Sequence, residues 1–388
     1  MSYPKREAFG WYEYFSLVRC ATDYRLRRLD PPYAGKYQET FESEFATHFG
    51  VRHSRLVASG TSAIYIALKA ISIPANSIVL VSGITDGGCI SAIIEAGFRP
   101  VLIDTGHETF NINLETVVET FEKIKSQSIE PPKCLVACHI GGEPIADVAQ
   151  IAEWCRKEGI FLIEDCSQAI KARVNEGIVG TFGQLSAFSI MYRKNLSSGG
   201  SGGVVLVNNN EYFEKVLAHS DRGKPIWRND LNLNNPAFNL FPALNHNSSE
   251  FLASIALSSL KRLDETNEKR RKFCRELLDG FRDNDIPLSN VRFDDNWAPF
   301  YLTLFGKGIN QVEVKKIAGQ MLEKFSVPLL VNYGCLASEW PWLRKYLAIN
   351  QELPNAKHCI ENSFNLMLNE KYRSIHAKRI IKAAINVS

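Results

Sequence analysis

Residues 133–165 read KCLVACHIGGEPIADVAQIAEWCRKEGIFLIED. The run 133–140 is apolar and of strand length, and 146–159 reads as a helix that stops at Gly159, a residue suited to the left-handed turn that ends helices. The run 160–165 is a second apolar strand, closing on Asp165. Two strands built of continuous apolar runs, joined by a helix, form a parallel unit covered on both faces.

The same alternation extends in both directions. Upstream, Ser59-Gly60-Thr61-Ser62 precedes an apolar-periodic helix (AIYIALKAI), and 77–82 (SIVLVS) reads as a buried strand. A helix over ISAIIEAG stops at Gly97, a strand over 99–104 ends in Asp104, and NLETVVETFEKIK is an amphipathic helix. Downstream, QLSAFSI and GVVLVN are short strands flanking the polar, glycine-rich NLSSGGSGG. An Asn-rich stretch (228–249) lacks pattern, and SSEFLASIALSSLKRLDETNEKRRKFCRELLDGF predicts one long helix. The last part reads as a strand (FYLTLF), a helix (QVEVKKIAGQML), a loop rich in Pro and aromatics, and a final helix. The first 35 residues read as an irregular segment packed on the body. Right-handed crossovers place the loops after the parallel strands on one edge of the sheet, where ligands of such sheets bind.

Composition sets the outer bounds. A chain of 388 residues accommodates about two to three domains. Hydrophobic residues make up 45% and charged residues 22%, which excludes a disordered chain, a collagen-like repeat and a coiled-coil rod. Lys and Arg number 45 against 42 Asp and Glu, so no polyanion-binding surface and no nucleic-acid partner are expected. The nine cysteines are odd in number and sit mostly in apolar runs, which suits buried thiols in a reducing compartment. Cys134, Cys138 and His139 are close in sequence, but no second ligand pair follows at zinc-site spacing, and no metal is expected. The N-terminus lacks a cationic stretch followed by an apolar core, and no apolar run reaches the ~18 residues of a membrane helix. The expectation is a cytoplasmic protein without a membrane partner.

Three pieces carry candidate chemistry. Ser59-Gly60-Thr61-Ser62 at a helix start offers backbone N–H groups, the positive end of a helix dipole and hydroxyls; it reads as a phosphate cup or as an ordinary N-cap. Asp165, with Gln168 three residues on, stands at a strand end, facing a ligand or solvent. Lys194 follows another apolar strand and precedes the glycine-rich turn; it reads as a nucleophilic amine or as a surface lysine beside Arg193. The glycines fit neither dinucleotide nor P-loop spacing, which disfavours a nicotinamide dehydrogenase. Together, an anion cup, a strand-end carboxylate and an amine meet the needs of pyridoxal phosphate: its phosphate, its ring nitrogen and its aldehyde.

The segments FESEFATHFGVRHSRLVASGTSAIYIALKAI, AGFRPVLIDTGHETFNIN, HIGGEPIADVAQIAEWCRKEGIFLIEDCSQAI, VGTFGQLSAFSIMYRKNLSSGGSGGVV and LPNAKHCIENSF resemble the DegT/DnrJ/EryC1/StrS sugar aminotransferases. EDCSQA and KNLSSGGSGG are the most specific blocks. The resemblance implies an α/β, fold-type I transferase, similar to aspartate aminotransferase. It has a large domain (1–245) with a mostly parallel seven-stranded sheet and a smaller α+β C-terminal domain (246–388). It implies Lys194 as the Schiff-base lysine, Asp165 as partner of the pyridine nitrogen and Gln168 beside the ring hydroxyl. Gly60, Thr61, Ser62 and Ser189 become phosphate contacts, and Asn245 reaches across a homodimer to the partner's phosphate. Three positions depart from the family pattern. Asp86 stands where an aromatic ring usually stacks on the cofactor. Asn245-His246-Asn247-Ser248 replaces Asn-x-Arg-Met, and Gly200-Ser201-Gly202-Gly203 replaces Gly-Glu-Gly-Gly.

The implied activity is transfer of an amino group, from glutamate, to a keto-sugar linked to a nucleotide, in amino-sugar or polysaccharide biosynthesis. A free keto-cyclitol or keto-acid sugar is the rival substrate, and a non-catalytic pyridoxal-phosphate regulatory protein the rival role. Relatives that dehydrate deoxysugars carry His at the lysine position, so Lys194 speaks against that chemistry.

Overall fold

The computed structural model describes residues 3–5 and 9–387. The expected lack of a leader peptide rests partly on residues 1–2 and 6–8, which lie outside the described residues. The chain opens with α1 (Trp11–Arg27), α2 (Lys36–Phe49), β1 (His53–Val57), α3 (Gly60–Ala70), β2 (Ile78–Ser82), α4 (Gly87–Glu95) and β3 (Arg99–Ile103). It continues through α5 (Leu114–Ser126), β4 (Cys134–Cys138), α6 (Val148–Glu158) and β5 (Phe161–Asp165). A small hairpin, β6 (Arg173–Val174) and β7 (Gly177–Ile178), leads to β8 (Leu185–Ser189), β9 (Gly203–Val207) and α7 (Asn210–Ser220). Then come α8 (Glu250–Leu260), α9 (Leu263–Asp283), β10 (Leu288–Ser289), β11 (Tyr301–Gly306) and α10 (Gln311–Phe325). The chain ends with β12 (Leu329–Leu330), α11 (Pro354–Glu361), β13 (Ser363–Met367) and α12 (Ser374–Ile385).

Seven strands form the main sheet in the order β1-β9-β8-β5-β4-β2-β3. Only β9 runs against its neighbours, so the sheet is mostly parallel. Successive residues of β2 serve opposite faces, as pleating requires: Val79 and Val81 pack with α3 and α4, while Ile78 and Leu80 pack with α5 and α6. Each such fully buried side chain contributes about 1.5–3 kcal/mol. The second face divides, and Leu56, Phe188, Val204 and Leu206 pack instead against Phe41 and Phe45 of α2 and Ala253 and Ala256 of α8. A second sheet, β10-β11-β13-β12, builds its own core with α9, α10 and α12. No helix among the described residues is long and apolar enough to cross a membrane.

Four features differ from the sequence reading. Residues 11–27 are a helix, not an irregular segment. Its pattern is obscured because its attachments are polar: Glu13 is fully buried and pairs with Arg262, and the Ser16 hydroxyl donates to the Ser254 carbonyl. Strand β1 was hidden by Arg55, a charge in a strand interior. That guanidinium is buried against Asn247 (2.8 Å), Ser220 and Glu42. The long helix breaks at Lys261–Arg262, where Arg262 turns to Glu13. Finally, the C-terminal loop contains α11 and β13.

Candidate active site

Strands β4, β5 and β8 run parallel and end at Cys138, Asp165 and Ser189 on one edge of the sheet. Helix α3 starts at the matching end of β1. The loops from these ends enclose a cavity of about 230 Å³. Gly60, Thr61, Asp165, Gln168, Ser189 and Lys194 all line it.

The start of α3 opens onto this cavity. Ser59 caps α3 by accepting the Ser62 N–H at 3.0 Å, and the two hydroxyls lie 2.9 Å apart. The N–H groups of Gly60 and Thr61 have no acceptor among the described residues and stand at the positive end of an 11-residue helix. Gly60 is required here, because a Cβ would fall 2.6 Å from the Ser189 Cβ. Ser62 is turned away from the cavity: its hydroxyl also meets His246 Nδ1 at 3.1 Å.

Asp165 is 7% exposed, and among the described residues only Ser167 hydrogen-bonds its carboxylate (N–H to Oδ1, 3.0 Å). Burial pushes its carboxyl up, opposed by the Ser167 hydrogen bonds and by the nearby Lys194 charge; the Asp86 charge adds to the rise. Gln168 is oriented by the Gly141 N–H, which donates to its Oε1 at 3.0 Å. Beneath them, buried Glu164 accepts from the Gly180, Phe182 and Gly183 N–H groups and lies 3.2 Å from His139 Nε2. The Ile145 N–H donates to His139 Nδ1, so this network places the ring proton on Nε2.

Lys194 is 8% exposed and sits in a loop closed at both ends. The Ile190 N–H donates to the Gly202 carbonyl and the Ser198 N–H to the Ile190 carbonyl. The next residue, Asn195, donates to Asn267 and to the carbonyls of Ala298 and Pro299. Buried Arg270 bonds both Asn195 and the Pro299 and Phe300 carbonyls. The lysine loop and the residues leading into β11 are thus tied together, and the Lys194 Nζ lies 4.3 Å from the Phe300 ring centre.

Other positions fall differently. Asp86 is exposed at the cavity wall and caps α4, accepting the Gly88 N–H at 2.8 Å. Ser201 lines the cavity too, its hydroxyl donating to the Ala58 carbonyl. Asn245 is exposed and lies outside the cavity of its own chain, its Oδ1 accepting from Asn247. Cys134 and Cys138 stand at opposite ends of β4. Cys138 instead meets Cys89, with the sulfurs 3.7 Å apart.

Residues 31–384 match the family model described as the DegT/DnrJ/EryC1/StrS aminotransferase family. The chain belongs to this family. Among its curated members, GDP-perosamine synthase of Vibrio cholerae is 30% identical over 361 residues, 85% of this chain and 92% of that protein. The solved aminotransferase of Psychrobacter cryohalolentis superposes with a TM-score of 0.85 at 24% identity, covering 99% of this chain and 98% of that one. Bacillus subtilis NtdA, solved with bound PMP, gives a TM-score of 0.84 at 19% identity over 98% and 83% of the two chains. These two structures share the fold. As a DegT/DnrJ/EryC1/StrS protein, the chain is an aminotransferase with the mostly parallel seven-stranded sheet of fold-type I.

Sequence reading missed three members of this aminotransferase site. Glu164 adjoins Asp165 in the same strand, so its alternate direction was available from the pleat. His139 was weighed only as a metal ligand. Phe300 had no sequence signal, because its approach to Lys194 depends on how the two sheets meet.

Proposed function

We propose that the chain uses pyridoxal 5′-phosphate to move an amino group from glutamate to a nucleotide-linked keto-sugar. The observation that supports this most is the convergence of Lys194, Asp165 and the open start of α3 on one cavity. The donor set fits the cofactor. Two backbone N–H groups without acceptors among the described residues, with the Thr61 and Ser189 hydroxyls, suit a phosphate. A buried carboxylate hydrogen-bonded only by Ser167 among the described residues suits a protonated ring nitrogen. When bound, the cofactor supplies an electron sink for charge developing on the donor α-carbon.

The chain's own residues do the rest. Gly60, Thr61 and Ser189 would hold the phosphate, whereas Ser62, expected there from the sequence, has its N–H and hydroxyl engaged by Ser59 and His246 and would not touch it. Asp165 would keep the ring nitrogen protonated. Gln168, fixed by Gly141, would face the ring hydroxyl. Lys194 Nζ would hold the aldehyde carbon. With the donor amine in that place, the same Nζ would be free to accept the α-proton and to return a proton when the keto-sugar is aminated. One base on one face serves both half-reactions.

A homodimer would complete the site. Helix α1 carries an exposed aromatic face, with Trp11 74% and Phe15 61% exposed, and Leu244 beside Asn245 is exposed as well. Burying this surface against a second copy would carry Asn245 towards the partner's phosphate. The relative's name, GDP-perosamine synthase, supports a nucleotide-linked sugar, the name of another relative, the spore coat polysaccharide biosynthesis protein SpsC of Bacillus subtilis, supports polysaccharide assembly as the setting, and a cytoplasmic location accords with nine free thiols. The test is the donor half-reaction. Glutamate added to cofactor-loaded protein should bleach the visible absorbance, and a keto-sugar nucleotide should restore it. Bleaching by no amino donor would overturn the proposal.

A further inference from the structure

Cys89, Cys138 and Asp165 meet at one wall of the cavity described above, and all three line it. Cys138 and Asp165 end the neighbouring parallel strands β4 and β5 and are paired in register, so their side chains leave the same face of the sheet. Cys89 approaches from the first turn of α4, 49 positions before Cys138, a pairing that linear spacing does not show. The two sulfurs lie 3.7 Å apart, and the three ligand atoms are all within 4.8 Å of one another. All three residues are buried.

The spacing matches one edge of a tetrahedral cation site. Two thiolates bound to zinc at their usual length, spread at a tetrahedral angle, stand about 3.8 Å apart. Two thiols in plain van der Waals contact reach the same separation, so the third ligand and the open side of the group carry the argument. The Asp165 carboxylate is hydrogen-bonded only by Ser167 among the described residues, and the cavity leaves room for a water in the fourth position. The Thr85 hydroxyl lies 3.3 Å from Cys138 Sγ and can donate to a thiolate, and the positive end of α4 favours negative charge on Cys89. A neighbouring trio, His139, Glu164 and Cys166, is as closely set but already engaged. His139 Nδ1 accepts from Ile145, and Glu164 accepts from three backbone N–H groups and meets His139 Nε2. Neither Glu164 nor Cys166 lines the cavity, so that trio lacks an entry path from it.

We infer that Cys89, Cys138 and Asp165 form a site for one thiophilic divalent cation of the zinc class in the cofactor-free protein, and that cation and cofactor exclude each other there. The cation takes two thiolates and one carboxylate; two thiol protons leave to solvent and no electron is transferred. The exclusion follows from shared parts, because Asp165 is the group assigned above to the ring nitrogen and one cavity would receive both ligands. Bound cation thus keeps the protein empty of cofactor until it is withdrawn. The exclusion rests on the pyridoxal phosphate reading given above, whereas the cation site itself does not.

The test adds Cd²⁺ to reduced, cofactor-free, full-length protein and reads the ultraviolet thiolate-to-metal absorbance together with calorimetry. Wild-type protein should bind one Cd²⁺ per chain through two thiolates. Cys89→Ala and Cys138→Ala should each weaken binding by roughly 100-fold or more, a larger loss than removal of a group that merely supports a ligand. Cys134→Ala, at the other end of β4, and Cys166→Ala, in the neighbouring trio, should bind as wild type does. Absence of the thiolate absorbance in wild-type protein, or wild-type affinity in both Cys89→Ala and Cys138→Ala, would overturn the site. The second arm follows pyridoxal phosphate uptake with and without one equivalent of Cd²⁺. Wild-type protein holding Cd²⁺ should load cofactor only after a chelator is added, while Cys138→Ala should load equally in both conditions. Cofactor taken up beside bound Cd²⁺ would overturn the exclusion. Failure of metal-free wild-type protein to take up cofactor would instead strike at the pyridoxal phosphate reading, and the cation site would still stand on its absorbance.

Discussion

Lys194 Nζ faces the Phe300 ring at 4.3 Å, and the two residues are tethered through Asn195 and Arg270. The ring attracts the cationic amine and fixes where it waits. Replacing it in Phe300→Leu removes about 0.5–2 kcal/mol. The donor half-reaction should slow by about 2–30-fold, whereas Phe300→Tyr, which keeps the ring face, should stay near wild type. Stopped-flow absorbance with glutamate measures both.

Asp165 holds a carboxyl that burial has pushed up. A folded-state value above the unfolded one means that the folded apoprotein keeps its proton to higher pH. The associated stability is present below the unfolded value and is lost as pH rises through the folded one. Cofactor-free Asp165→Asn should therefore melt above cofactor-free wild type at neutral pH, and the gap should widen as pH rises from acid to neutral. With cofactor added the order should reverse, because the ring nitrogen loses its anionic partner. Thermal melts of the two proteins, with and without cofactor, across pH decide it.

Asp86 caps α4, and the family resemblance would put it where a stacking ring usually lies. Asp86→Phe should lose that cap, costing about 0.5–2 kcal/mol of stability. It should gain a ring contact worth about 0.5–1.5 kcal/mol towards the cofactor, seen as several-fold slower cofactor loss on dialysis despite a lower melting temperature.

Asn245 is exposed and absent from its own chain's cavity, while Lys194 is buried in it. If each cavity is completed across a dimer, Lys194→Ala and Asn245→Asp chains, each impaired alone, should regain activity when co-expressed. Their mixed dimer contains one cavity with both native residues. A Trp11→Glu, Phe15→Glu variant should sediment as a monomer and lose phosphate-dependent cofactor retention. Sedimentation and complementation assays check the two expectations.

Much of this architecture was readable because most main-sheet strands are apolar runs and two of the helices between them, α4 and α6, stop at Gly97 and Gly159. Gly159, in the left-handed conformation, closes α6 where the sequence placed it. Asp165 and Lys194 were recognisable because each stands at or just beyond the end of such a run, whereas Ser189 was reached only through the family resemblance. What escaped had its stabilisation elsewhere in the fold. Arg55 makes β1 look polar until Asn247, Ser220 and Glu42 surround it. Helix α1 lacks an apolar stripe because Glu13 is satisfied by Arg262, a partner far along the chain. The domain boundary expected at 245/246 precedes α8, whose Ala253 and Ala256 pack with the main sheet's core. Phe273 and Leu277, further along in α9, pack in the second core.

We propose that one amine, Lys194 in the loop between β8 and β9, holds the cofactor. Borohydride reduction of cofactor-saturated protein, followed by peptide mass mapping, reads this directly. The cofactor's mass should appear on the peptide containing Lys194, and Lys194→Ala should carry none. Attachment at any other side chain, or no attachment in saturated wild-type protein, would contradict it.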